Sequence, residues 1–171
     1  MKLYSFQHPD VLKRLAESGI YFAEYAHKNS FSKENEKILI AYKWLMGKLN
    51  QKINNDFSSC PIWWYTTVEQ ARENLHLVKN QVLLIAEVPE KLLLLYHSDL
   101  WYGPLNGCGL GRNWHKDGFP DSSSERYWNL LGRNLNAKYE TWNEIFHYRK
   151  SDKKWLHAVT PYIDWNWLIE E

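Results

Sequence analysis

Pro61-Ile62-Trp63-Trp64-Tyr65-Thr66 is the stretch on which the fold turns. Ile, Trp, Tyr and Thr suit a pleated, half-buried surface, and a proline is tolerated at the first position of a strand. The run is predicted as a β-strand. Successive side chains of a strand point to opposite faces, so Trp63 and Tyr65 share one face and Trp64 takes the other. Two readings stay open. In one, one face is core and the other is a stacking platform for a base, a nicotinamide or a sugar ring. In the other, a helix covers each side and both faces are buried, as large aromatics usually are.

On the N-terminal side, residues 2–6 alternate as a strand. Pro9 opens a helix at a position where its missing N–H costs nothing. Val11, Leu12, Leu15 and Ala16 make that helix's apolar face, and Gly19 stops it. A short strand is predicted over 20–23. Ser32 can cap a long helix over 34–52, whose stripe is Ile38, Leu39, Ala41, Tyr42, Leu45, Met46 and Leu49. On the C-terminal side, one or two helical turns over 67–75 precede strands over 82–88 and 92–96. Ser98 or Asp99 can cap a short helix that ends at Gly103-Pro104. A glycine-rich loop over 106–124 follows, of a length usually functional or mobile. Helical patterns return over 124–135 and 139–149, and two strands over 155–159 and 165–169 close the chain. No repeat or linker divides it. The pattern predicts a single α+β domain with a mixed or antiparallel sheet and packed helices.

Composition narrows the functional classes. The chain has 171 residues, long enough to bury a core without disulfide or metal. Twenty-one basic against 20 acidic residues leave a formal charge of +1, which disfavours a nucleic-acid-coating protein. Ten Trp, 11 Tyr and six Phe make 16% of the chain, with Trp at about four times its usual share. Two cysteines and no Cys-x-x-Cys exclude a disulfide scaffold. The N-terminus has no apolar leader and no run is long enough to span a bilayer, so a cytoplasmic protein with no membrane contact is expected. Seven histidines fall in no metal-ligand spacing, and no metal site is expected.

Ordered landmarks carry a family resemblance. They are Leu3-Tyr4-x-x-Gln7 before a short helix and Gly19, Ala41-Tyr42-x-Trp44-Leu45-Met46, Pro61-Ile62-Trp63, Asp99-Leu100-Trp101 with Leu105-Asn106, and Trp142-x-x-Ile145-Phe146. In this order they resemble the bacterial family known as domain of unknown function 3841. Three positions depart from its pattern. Trp63-Trp64-Tyr65 replaces Trp-x-Trp, His157-Ala158 replaces Gln-Ala in the penultimate strand, and His97 stands where the family has an acid. That resemblance implies no activity. More distantly, the order of strands is similar to ADP-ribosyltransferase-like domains, which bind NAD in a cleft between two small sheets. They carry a His, Tyr or Arg on the first strand, an aromatic or Ser on a middle strand and a Glu on a late one. Tyr4 and Trp63 fit the first two places. The late strand, Trp155-Leu156-His157-Ala158-Val159, has no Glu.

Three constellations carry candidate chemistry. Tyr4, Gln7 and the Trp63/Tyr65 face, with Trp101 and Arg112, form the candidate set that holds a ring system, with NAD the implied cofactor. On an extended segment His97 and Asp99 share a face, and a paired imidazole and carboxylate suits acid–base work near neutral pH. The alternative is an Asp99 that caps a helix beside an incidental histidine. His157 is the other candidate polar partner. Gly107, Gly109 and Gly111, followed by Arg112, His115 and Lys116, let backbone amides approach an anion, though without the strand and helix of a phosphate-binding fingerprint. The leading expectation is a nucleotide-binding cleft with ADP-ribosyl-transfer-like chemistry. The competing one is a non-catalytic protein-interaction or regulatory module, such as a defence or mobile-element partner. RNA binding through Trp63 and residues 112–116 ranks third.

Overall fold

A computed structural model describes residues 1–25, 33–110 and 139–169. The elements are β1 (Lys2–Gln7), α1 (Pro9–Ser18), β2 (Ile20–Tyr21), α2 (Lys33–Ile53), β3 (Ile62–Tyr65), α3 (Val68–Asn74), β4 (Val82–Glu87), β5 (Leu94–His97), α4 (Ser98–Leu105), β6 (Leu156–Thr160) and β7 (Ile163–Asp164). The Ser32 cap, Arg112, Trp114 and the helix over 124–135 lie outside the described residues, as does most of the glycine-rich loop.

Local chemistry sets several of these bounds. Pro9 opens α1, and His8 Nδ1 accepts from the Asp10 N–H at 3.3 Å. Gly19 ends α1 in the left-handed region at φ 76°, a conformation open to glycine at no steric cost. Thr67 Oγ1 accepts from the Gln70 N–H, while Gln70 Oε1 accepts from the Thr67 N–H at 3.0 Å. This reciprocal pair satisfies two donors that the first turn of α3 would leave orphaned.

Five strands form one sheet in the order β4-β1-β3-β6-β5, and every pairing is antiparallel. β2 and β7 form a separate two-stranded sheet. The five-stranded sheet is nearly split. β1 pairs with β4 along its whole length but meets β3 only at Tyr4 opposite Tyr65. Beyond that pair the Ser5 hydroxyl donates to the Trp63 carbonyl at 2.7 Å, and Gln7 Nε2 donates to Ser5 Oγ at 2.7 Å.

Both faces of the sheet are covered. Leu3, Ile62, Trp64 and Ala158 pack on one side against Val11 and Leu15 of α1, with Ile163 and Trp167. On the other side, Tyr96 and Val159 pack under Ala41, Leu45 and Leu49 of α2, Leu100 and Trp101 of α4, and Trp142 with Ile145. Tyr4 and Ile85 pack separately against Ala71 of α3. Two unequal covers therefore lie side by side on the Trp63/Tyr65 face.

Three expectations are corrected. No strand runs over 165–169. Asp164 Oδ1 accepts from the Asn166 N–H at 2.8 Å and turns Trp165–Trp167 into a 3₁₀ turn, while the strand lies earlier, at Ile163–Asp164. Trp165 and Trp167 then share no face; the first is exposed and the second buried. Over 139–149, Trp142–Phe146 is a 3₁₀ helix that buries Trp142 and Ile145, three residues apart and eclipsed at that pitch. α4 takes His97 as its N-cap with no side-chain capping bond, and runs through Pro104 to Leu105.

No helix among the described residues is long and apolar enough to cross a membrane.

Candidate functional site

Beside the α2/α4 cover, on the Trp63/Tyr65 face, lies an open cleft of about 340 Å³. Its floor is the sheet face that β3, β5 and β6 present together. The register sets Tyr65 opposite His157, and Tyr96 opposite His157 on the other side. These three side chains and Trp63 project the same way because cross-strand partners share a face. Tyr42 of α2 and Trp101 of α4 form one wall. Gln7, Val78 and Gln81 line the other parts of the cleft. No charged residue lines it among the described residues.

The rings touch in sequence. Tyr42 lies 5.2 Å from Trp63 and Trp63 lies 5.5 Å from Trp101, centroid to centroid. Tyr65 meets His157 edge-on at 5.0 Å, and Tyr96 meets it edge-on at 5.9 Å. Such offset and edge-on arrangements suit the ring quadrupoles. Tyr42, Tyr96 and Trp101 thus surround Trp63, which stays half-buried.

Electrostatics make the cleft neutral. Burial pushes the His157 imidazole down to about 4, helped by the nearby His97, so its ring is uncharged at neutral pH. Burial drives the Tyr96 hydroxyl well above its ordinary value, and raises those of Tyr42 and Tyr65. All three stay protonated. Tyr96 Oη lies 3.4 Å from His157 Nδ1. When that hydroxyl donates, the imidazole proton resides on Nε2.

A second cleft of about 310 Å³ adjoins the first and shares Tyr96, Trp101 and His157 with it. Glu73, Asn74, Asp99, Tyr102, Lys154 and Trp155 line the remainder with Gln70, Ser98 and Leu105. Gln70 is fixed here. Its Nε2 donates to the carbonyls of Lys154 and Leu156 at 2.8 and 3.0 Å.

The candidates chosen from sequence divide as follows. Gln7, Trp63, Tyr65, Trp101 and His157 come together on the first cleft. Asp99 lines the second. Tyr4 is buried under α3, with Ala71 and Ile85, and does not line either cleft. His97 is buried, its ring stacked over Trp155 at 6.4 Å. The helix begins at Ser98, so His97 and Asp99 do not alternate on one extended segment. Arg112 lies outside the described residues. Among those residues no group of three or more His, Cys, Asp or Glu could hold a metal ion.

Tyr42, Tyr96 and Gln81 were not anticipated as cleft residues. Tyr42 reads as one apolar position in the α2 stripe; its hydroxyl was the available signal. Tyr96 follows from the β5–β6 register, which sequence does not display.

No curated protein and no solved structure matches the chain significantly. The family match is clear: with residues 2–117 fitting its pattern, the chain belongs to the family described as Domain of unknown function (DUF3841).

Proposed function

We propose that the first cleft binds the planar ring of a nucleotide, and that NAD is the ligand to which the sheet layout points. One observation carries this reading. The five-stranded sheet is joined across β1 and β3 by the single pair Tyr4–Tyr65, and the aromatic cleft opens beside that split. A cleft between two half-sheets is what the ADP-ribosyltransferase-like layout implies. Half-buried Trp63 offers a stacking face, worth about 1–3 kcal/mol by base-stacking precedent, with the buried Trp101 packed against it. Gln7 and Gln81 supply amides for the edge of the ring or its carboxamide. His157, neutral with its pKa near 4, serves as a hydrogen-bonding group and not as an acid at pH 7. Transfer of the ADP-ribosyl group would need a carboxylate near the ribose, and Asp99 in the adjoining cleft is the candidate.

Titration calorimetry with NAD, nicotinamide mononucleotide and ATP tests this. Saturable binding of NAD that Trp63→Ala weakens at least tenfold is the expected result. A flat NAD titration, or a Trp63→Ala protein that binds as wild type, removes the reading. Nicotinamide release from NAD, lost in Asp99→Asn, separates an enzyme from a binding protein.

The second reading is a non-catalytic interaction module. Leu75 and Leu77 favour it, being 58% and 67% exposed on the turn after α3. It predicts no nucleotide binding, and protein-partner capture that Leu75→Ser/Leu77→Ser abolishes.

A further inference from the structure

We infer that the second cleft is a binding site for an organic ammonium cation. Its lining combines four aromatic residues, Tyr96, Trp101, Tyr102 and Trp155, with two carboxylates, Glu73 and Asp99. That pairing is the chemistry of cation recognition. Ring faces attract a cation through their quadrupole, and a carboxylate neutralises it without demanding one fixed geometry. Neither Glu73 nor Asp99 has a hydrogen-bond or ion-pair partner among the described residues. Both are therefore available to a ligand.

The protein itself supplies a precedent within this cleft. The Lys154 ammonium lies 4.7 Å from the centroid of the Trp155 ring. Trp155 and Tyr102 are the exposed rings of this lining, and the Trp155 ring already carries Lys154 and the stacked His97 ring. Among the described residues Lys154 is the one cation in the lining, against two carboxylates. That excess of negative charge favours an ammonium group. A ligand ammonium would displace Lys154 from Trp155 and meet Glu73 and Asp99 in its place.

The test titrates the tryptophan emission of the full chain with choline and, in parallel, with its uncharged isostere in which carbon replaces the quaternary nitrogen. A saturable response to choline is expected, with the isostere at least tenfold weaker. Glu73→Gln/Asp99→Asn should weaken choline binding at least tenfold, while Lys154→Ala, which clears the Trp155 face, should tighten it. Circular dichroism reports whether each variant is folded. The single change Glu73→Gln, at an exposed site, supplies the answer if Asp99→Asn does not fold. No saturable response to choline overturns the inference, as does equal binding of the isostere or a folded Glu73→Gln variant whose binding is unchanged. The inference does not rest on the nucleotide reading. Choline is titrated with no nucleotide present, so its failure leaves the NAD titration to decide that question separately.

Discussion

The Tyr96 hydroxyl lies 3.4 Å from Nδ1 of His157, on adjacent strands whose register pairs the two residues. Both groups are kept uncharged by burial, the imidazole at a pKa of about 4. A histidine in the unfolded chain titrates at 6.5, so between the two values the unfolded state binds a proton that the folded state does not. Stability then falls as pH drops through this window, and the loss is complete below about pH 4. At about 1.4 kcal/mol per pH unit, the total is about 3 kcal/mol. Between about pH 7 and pH 5, wild type should lose roughly 2 kcal/mol more than His157→Gln in chemical denaturation. Equal losses would show that His157 is not held neutral by the fold.

A second polar pair is buried on the opposite face of the sheet. Trp64 Nε1 donates to Thr160 Oγ1 at 2.9 Å, and that hydroxyl donates to the Tyr162 carbonyl at 2.8 Å. Thr160→Val keeps the shape but removes both bonds, leaving a buried indole N–H without its acceptor. The cost should be about 1–3 kcal/mol in urea denaturation. In the Trp64→Phe background, where no indole N–H remains, the same change should cost less. Additive costs would mean that the two side chains do not act as a pair.

These two pairs also mark how far the sequence could be read. The alternation of Trp63, Trp64 and Tyr65 was legible because the two-residue period belongs to the backbone and needs no tertiary information. The partners were not legible. Tyr96 and His157 are 61 positions apart, and only the β5–β6 register brings them together. The same period misled at Trp165 and Trp167, because the Asp164 side chain caps a turn there and overrides the strand pattern. At His97 and Asp99 it left two readings open, and the helix that starts between them decides against the extended one. Tyr4 was sound as a strand residue, but α3 covers it, and no sequence signal announced which part of the face each helix would cover.

Gln70 ties α3 to β6. Its Oε1 accepts from the backbone N–H groups of Thr66 and Thr67 at 2.9 and 3.0 Å, while Nε2 donates to the Lys154 and Leu156 carbonyls. Gln70→Glu keeps the acceptors and replaces both donors with a second oxygen facing two carbonyls. It should therefore destabilise more than the exposed neighbour change Glu69→Gln, by about 2–3 kcal/mol. The loss should shrink at low pH, where a protonated carboxyl regains a donor. Thermal melts of both variants at two pH values check this, and a pH-independent difference would contradict it.

Gly103 is required by packing and not by backbone conformation. A Cβ placed on it would stand 2.5 Å from Cδ2 of Leu110, a side chain only 3% exposed. Leu110 belongs to the core that holds α2, α4 and Trp142 together, so it has little room to retreat. Gly103→Ala adds a residue that favours helix by about 1 kcal/mol, yet overpacking a tight contact costs about 1–3 kcal/mol. The net effect should be destabilising, or at best neutral. Leu110→Ala alone should cost about 2–5 kcal/mol through the cavity it leaves. The decisive measurement is the double variant. With the leucine gone, Gly103→Ala meets no clash, only its helix-favouring term remains, and it should become stabilising. If Gly103→Ala destabilises equally in both backgrounds, the Leu110 contact is not the reason for the glycine.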